Sequence, residues 1–447
     1  MATRIFETPL PFPATVVRAY HTRPGALQRL MPPSDGATVL SQTGTVHEGD
    51  RIVMQVLPGI TWEAVHHPLA DGFVDEMARG PLTRWTHRHR FLENGPNACV
   101  IRDEVEFAPA IASWLADGRL GTLFGFRARR LPEDLSRLVG IAPIRVLLAG
   151  ASGLLGTQLA ALLSVGGHSV VRLVRRPAGE GEVQWDPGAG TLDPAAIEGF
   201  DAVISLSGEN VGEEAWTPAR KVELINSRLA TTGLLARTLA ILERPPKVWL
   251  SASAVGIYGD RGDEPLSEES AVGGGFLAEL CERWEAAAGT ATGVRVVKLR
   301  LGVVLTARGG ALAKMATAYR FGAGGTVGSG RQFFPWVAGD DALYAMLHCL
   351  FDELVFGAVN VVAPRAVRQR EFATTLGSTL GRPAMIPLPA FAVSALFGEM
   401  GREVLLGGQN AVPGRLQGRF TWAFPELADA LSFELGTHPP ATPVTTE

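Results

Sequence analysis

The sequence predicts an α/β chain: a doubly wound parallel sheet with a smaller C-terminal lobe, preceded by a separate α+β domain in which an antiparallel sheet grips one long helix. Three observations carry this expectation. A buried-strand pattern, Ile144-Arg-Val-Leu-Leu-Ala149, runs directly into Gly150-x-x-Gly153-x-x-Gly156. Beyond it, apolar strand-like and helix-like stretches alternate, as they do when crossover helices join parallel strands. Before it lie about 140 residues, enough for an independent domain.

In the first domain, 1–140, segments 51–57, 72–77, 84–91 and 98–107 read as strands. Helices are expected at 14–30 and 111–138, the second with Trp114, Leu115, Leu123, Phe124 and Leu135 at near-helical spacing. Such a helix can bury its apolar stripe only against a concave sheet face. The stretches Phe12-Pro-Ala-Thr, Arg23-Pro-Gly-Ala-Leu, Met31-Pro-Pro, Phe73-Val-Asp-Glu and Gly80-Pro-Leu-x-x-Trp-x-His-x-His resemble the SRPBCC, or START-like, helix-grip domains. That resemblance implies a pocket for an apolar ligand. His87 and His89, two apart on a strand, share one face with Trp85 and Phe91. Two ligands do not make a metal site, and no metal is expected.

In the second domain, 144–436, strands are expected at 169–174, 202–206, 248–251 and 294–301, with helices at 217–242 and 276–288. From about residue 311 the regularity weakens, and 385–436 is read as an ordered C-terminal lobe because Phe391 and Phe397, like Phe333, Phe334 and Trp336, need burial. Residues 437–447 read as a frayed tail.

Composition narrows the function. Of 447 residues 46% are hydrophobic, and the net charge of -4 offers no basic field for nucleic acid. Cys99, Cys281 and Cys349 are scattered and odd in number, which argues against a disulfide framework or a zinc site. The start lacks a signal-peptide pattern and no uncharged run is long enough to span a bilayer, so a cytoplasmic protein without a membrane span is expected.

The glycine triplet in its strand-to-helix context is a dinucleotide site: the first glycine for the tight turn, the second for approach of the pyrophosphate, the third for close helix packing. Gly150, Ser152, Gly153, Leu154, Leu155 and Gly156 are the expected cofactor contacts. At the end of the next strand, where a carboxylate would hold a ribose 2′-hydroxyl, the chain reads Val174-Arg175-Arg176-Pro177. Two guanidiniums suit a 2′-phosphate, so NADP(H) is expected over NAD(H); the alternative is a solvated arginine pair. Leu206, Ser207, Gly208 and Ser251 complete the expected cofactor contacts, while Glu209 and Asn210 either face a ligand or cap the next helix.

The segments Gly150-Ala-Ser-Gly-Leu-Leu-Gly, Trp185-Asp-Pro, Ser207-Gly-Glu, Ser251-Ala-Ser-Ala-Val-Gly-Ile-Tyr-Gly, Cys281-x-x-Trp-Glu, Gly328-Ser-Gly-Arg-Gln-Phe-Phe-Pro-Trp and Leu406-Gly-Gly-Gln-Asn-x-Val-Pro resemble the epimerase-like branch of the atypical, extended short-chain dehydrogenase/reductases. The C-terminal lobe is similar to the DUF1731 segment. The resemblance implies a Rossmann-type sheet and a catalytic Tyr-x-x-x-Lys with a strand-end serine. No Tyr-x-x-x-Lys exists here: four residues before Lys221, Lys247, Lys298 and Lys314 stand Thr217, Glu243, Val294 and Gly310. The corresponding stretch reads Phe276-Leu-Ala-Glu-Leu280-Cys281. Ser253 is then the residue expected to orient a substrate, and Tyr258 is either a displaced acid or a cleft wall. Arg331, Gln332, Trp336 and Glu209 are the expected substrate contacts, or else Arg331 to Trp336 form a lobe core.

Three functions remain open. The chain is an NADP(H)-dependent oxidoreductase or epimerase-like enzyme acting on an unknown small molecule, a non-catalytic NADP(H) sensor, or a carrier of an apolar ligand in the N-terminal pocket. Substrate and oligomeric state are not legible.

Overall fold

The computed structural model describes residues 1–43, 46, 49–108 and 113–444. Two compact units result: one of residues 1–143, 161–167 and 432–447, the other of residues 144–160 and 168–431. Among the described residues, no helix is long and apolar enough to cross a membrane.

The first unit is a seven-stranded antiparallel sheet. Its strands are β1 (Ala2–Leu10), β2 (Thr38–Thr43), β3 (Arg51–Leu57), β4 (Ile60–Leu69), β5 (Gly72–Arg79), β6 (Arg84–Glu93) and β7 (Cys99–Ala108), in the order β1-β7-β6-β5-β4-β3-β2. β1, β2 and β4 were not foreseen. β1 pairs with β7 over its full length, Ala2 opposite Phe107 and Leu10 opposite Cys99, a partner some 90 residues away that no local pattern announces. The expected helix at 14–30 is two helices, α1 (Ala14–Thr22) and α2 (Ala26–Leu30). Pro24 forces Arg23 into extended geometry (φ -83°, ψ 152°), and Gly25 then turns through φ 93°. The long helix is α3 (Ser113–Leu138); Ile111 and the side chains of Trp114 and Leu115 lie outside the described residues.

Strict alternation puts Cys99, Ile101, Asp103, Val105 and Phe107 of β7 inward. α3 presses Leu120 and Phe124 onto this face, with Phe124 stacked on Phe6 at 4.3 Å. A buried polar knot ties α1 and α2 to α3. Asp134 takes both Nε (2.9 Å) and Nη2 (2.6 Å) of Arg29, and the Tyr20 hydroxyl donates to it at 2.6 Å. Among the described residues, the segment 437–444 is tied down rather than frayed. The Ala441 N–H donates to Gly121 O (2.8 Å), the Val444 N–H donates to Ile5 O (2.7 Å), and Phe433 stacks on Phe126.

The second unit is built on an eight-stranded sheet of β8 (Arg145–Ala149), β9 (Ser169–Val174), β10 (Glu182–Asp186), β11 (Thr191–Leu192), β12 (Ala202–Ser205), β13 (Val248–Ala254), β15 (Arg295–Leu301) and β19 (Gly357–Val361). The order is β11-β10-β9-β8-β12-β13-β15-β19, parallel except for β11. This is the doubly wound sheet expected. The helices are α4 (Leu154–Val165), α5 (Pro218–Leu239), α6 (Phe276–Ala288), α7 (Gly310–Arg320), α8 (Gly339–Phe351), α9 (Gln369–Thr379), α10 (Ala390–Met400) and α11 (Leu427–Leu435). Short pairs add β14 (Pro265–Leu266) with β21 (Asn410–Ala411), β16 (Val303–Leu305) with β18 (Trp336–Ala338), and β17 (Phe333–Phe334) with β20 (Val367–Arg368). The core under α5 and α6 gathers Leu147, Val203, Leu235, Leu239 and Trp249, each no more than 1% exposed. Strand order reverses between β8 and β12, which opens the crevice where sheets of this kind bind ligands.

Asp134→Ala takes the partner from a fully buried guanidinium and is expected to cost about 3–5 kcal/mol in urea unfolding. Asp117→Ala, which breaks the half-exposed pair with Arg4, is expected to cost less than about 1 kcal/mol.

Candidate functional site

The glycine turn sits at the mouth of that crevice. Gly150 ends β8 at φ +81°, and a Cβ there would lie 2.8 Å from the carbonyl carbon of Leu206 and 2.9 Å from the nitrogen of Ser207, both backbone atoms that cannot step aside. A Cβ on Gly156 would collide with Gly150 O. Gly153 donates its N–H to Gly150 O at 3.0 Å, and α4 starts one residue later. Ser152, Gly153 and Leu154 are exposed and Leu155 is half-buried. The first N–H groups of α4 therefore point outward without intrahelical acceptors and without an acidic residue in the first turn. A turn that excludes a side chain at Gly150 and Gly156 and ends in free donors at a positive helix terminus fits a diphosphate.

Beyond β9 the two arginines part ways. Arg176 forks onto Glu182 of β10, Nη1 and Nη2 each 2.7 Å from a carboxylate oxygen, so its guanidinium is already spoken for. Of the two arginines expected at the cofactor, Arg176 is thus paired within the protein. Arg175 is exposed and forms no hydrogen bond or ion pair among the described residues.

The loop after β12 is held from below by α5. Arg228, 7% exposed, donates to Glu209 O (2.9 Å) and Leu224 O (3.0 Å), and Arg220 donates to Asn210 O (3.2 Å). Its guanidinium lies so close that a Cβ on Gly208 would be 3.3 Å from Arg228 Cζ. The helix cap is Thr217, whose Oγ1 accepts the Arg220 N–H. Glu209 and Asn210 do not cap α5; Asn210 accepts from Gly212 N, and the Glu209 carboxylate makes no hydrogen bond among the described residues.

At the end of β13 the serines and the tyrosine are enclosed. Ser253 (2% exposed) donates to Glu285 Oε1 at 2.7 Å. Arg300 grips the same carboxylate with Nε (2.7 Å) and Nη2 (3.0 Å), and its Nη1 reaches the Tyr258 oxygen at 2.8 Å. Tyr258, fully buried, donates to Asn360 Oδ1 at 2.7 Å, and the Asn360 N–H donates to Glu268 Oε1. Burial raises the Tyr258 phenol above its ordinary value, outweighing the pull of Arg300, so it stays neutral and is no base. Burial also opposes the Arg300 charge, yet the Glu285 carboxylate holds this guanidinium above its usual value. Ser253 and Tyr258, expected to be catalytic, are thus members of a buried polar strut. Ser251 is buried with its hydroxyl unpartnered among the described residues.

In the stretch where the Tyr and Lys would stand, Leu277 covers Gly256, whose Cβ would meet it at 3.2 Å, and Cys281 is buried with its thiol pushed up to about 12 by burial. Farther on, Gln332 spends its amide on Val327 O (3.0 Å) and Leu405 O (2.9 Å), and Trp336 is 1% exposed within β18. These two are lobe structure rather than substrate contacts. Arg331 is exposed, and its guanidinium makes no hydrogen bond among the described residues.

The chain matches the NAD dependent epimerase/dehydratase family over residues 146–361 and the DUF1731 domain over 388–433. It is 38% identical over 292 residues to an epimerase family protein of Mycobacterium leprae, a match that spans 64% of this chain and 94% of that relative. The chain belongs to the NAD dependent epimerase/dehydratase family. Among solved structures, a protein described as a nucleoside-diphosphate sugar epimerase from Corynebacterium glutamicum superposes with a TM-score of 0.83 at 30% identity, covering 97% of this chain and 90% of that one. The human epimerase family protein SDR39U1, solved with NADPH, superposes with a TM-score of 0.61 at 38% identity, covering 65% of this chain and 99% of that one. A nicotinamide dinucleotide is therefore the cofactor class of this family.

Glu285, Asn360, Glu268, Arg228 and Arg220 escaped the sequence reading. The one local signal was Trp284-Glu285 within a recognised motif, which gave no role.

Glu285→Ala strands Arg300 in the interior and is expected to cost about 3–5 kcal/mol of stability, against about 1 kcal/mol for Ser253→Ala, both read by chemical denaturation. A thiol assay with Ellman's reagent should find no fast-reacting cysteine in the native protein and all three after unfolding, since each is buried.

Proposed function

We propose that this chain binds NADP(H) at the β8–α4 turn and acts as an epimerase-like oxidoreductase on a small molecule, with no Tyr–Lys pair in its proton handling. The reading rests on one observation: a turn closed to a Cβ at Gly150 and Gly156, with an Arg175 that has no partner among the described residues at the end of the adjacent strand. The α4 N-terminus would hold the diphosphate and Arg175 the 2′-phosphate, with no carboxylate before Glu180 to favour a bare 2′-hydroxyl. The NADPH in the human relative supports this choice.

When bound, the nicotinamide supplies or accepts a hydride. The proton is assigned to water or to the substrate's own hydroxyl, because Tyr258 is neutral and enclosed and Ser253 is committed to Glu285. Arg331 and Glu209 are the polar side chains left to contact substrate, which suits a molecule with both anionic and hydroxyl groups. The N-terminal unit is read as an SRPBCC-type ligand domain. A second reading, a non-catalytic NADP(H) sensor, is favoured by the same buried strut.

Calorimetry should show NADPH binding at least about tenfold tighter than NADH, with the preference lost in Arg175→Ala; equal affinities in the parent protein would remove the NADP(H) assignment. Deuterium transfer from 4-deuterated NADPH to any member of a carbonyl panel supports the enzyme. Tight binding without transfer supports the sensor.

A further inference from the structure

The concave face of the N-terminal sheet is apolar around Phe6, Val105, Phe107 and Phe124, yet one band across its middle is not. Alternation along β6 and β7 turns His87, His89 and Asp103 inward. The register then aligns their neighbours: Asp103 lies opposite His89, Asp75 opposite His87, and His66 opposite Asp75. His87, His89 and Asp103 are 4%, 6% and 4% exposed. Ionisable side chains are rarely this buried unless something compensates them.

The geometry of the three is convergent. His87 Nε2 stands 3.0 Å and His89 Nδ1 2.7 Å from the same oxygen of Asp103, and the three donor atoms lie within 4.8 Å of one another. His89 Nδ1 is near that oxygen but out of line for a hydrogen bond, so it is a buried nitrogen without one. Asp75 adds a buried Oδ1 that also lacks a hydrogen-bond partner. Arg127 of α3 acts on Asp103 and Asp75 through its charge while its Nε donates to Leu30 O, which offsets the site's charge in part.

We propose that His87, His89 and Asp103 are the protein ligands of a divalent first-row transition metal, with Asp75 beside them to take a further position directly or through a water. Two imidazoles and a carboxylate suit zinc, iron(II), cobalt(II) or manganese(II) rather than magnesium or calcium, which favour all-oxygen shells. Three protein ligands leave room for an exogenous one, the pattern of reactive rather than purely structural metal sites. A band of this polarity suits a positively charged occupant better than apolar cargo.

The test uses the full chain, stripped with a chelator and then titrated separately with zinc and cobalt(II). The expected result is about one zinc per chain by mass spectrometric metal analysis and a cobalt d–d absorption band that saturates at about one equivalent. The near-isosteric variants His87→Gln and His89→Asn should lose at least about tenfold in affinity while circular dichroism and gel filtration remain those of the parent. Asp103→Asn is the second variant, should either histidine change prevent folding. A parent chain that takes up neither metal overturns the proposal, as do folded variants that bind as the parent does.

Discussion

The contact on which the second unit turns is between two stretches of backbone. Gly150 passes so close to Leu206 and Ser207 that no side chain can intervene, and the start of α4 crosses over Gly150 just as closely. That approach fixes where β8 hands over to α4 and sets the helix N-terminus at the reversal of strand order. It also lets the β12 loop lie beside the turn. Arg228 and Arg220 then hold this loop by its carbonyls rather than by its side chains, which leaves the Glu209 carboxylate free of hydrogen bonds.

At the end of β13 a buried strut joins side chains from distant parts of the second unit. Glu285 and Arg300 neutralise one another, Ser253 fills a remaining acceptor site of the carboxylate, and Tyr258 bridges Arg300 to Asn360. Each member removes a desolvation penalty from its neighbour, so the set is worth keeping only as a whole. α6 packs on β13 and carries Phe276, Leu280, Cys281 and Trp284 into the interior.

What the sequence revealed was local. The strand, the glycine spacing and the first turn of α4 are contiguous, and their physics can be read over a dozen residues. The partner of Arg176 was hidden because Glu182 belongs to a short strand whose Glu-Val-Gln-Trp-Asp pattern is too brief to register. The strut was hidden because its members span residues 253–360: Ser253 and Tyr258 read as site residues, while Glu285 and Asn360 each alone resemble a surface charge or a capping group. Trp336 and Gln332 stayed undecided for a related reason: aromatic and amide residues in a glycine-rich stretch fit a ligand wall and a lobe core equally well. In the N-terminal unit, His87 and His89 were legible as a pair on one face, but Asp103 joins them only through the β6–β7 register.

The segment after residue 436 has a consequence for how the first unit can be handled. β1 is an edge strand, and the Val444 N–H occupies one of its outward carbonyls while Phe433 and His438 lie against Phe126. A fragment cut after the first 143 residues would bare that edge and an aromatic surface together, the combination that invites strand-to-strand aggregation. Residues 2–10 and 444 thus lie together on this edge. Joining them by a short linker and opening the chain at an exposed loop would therefore preserve the sheet where simple truncation would not.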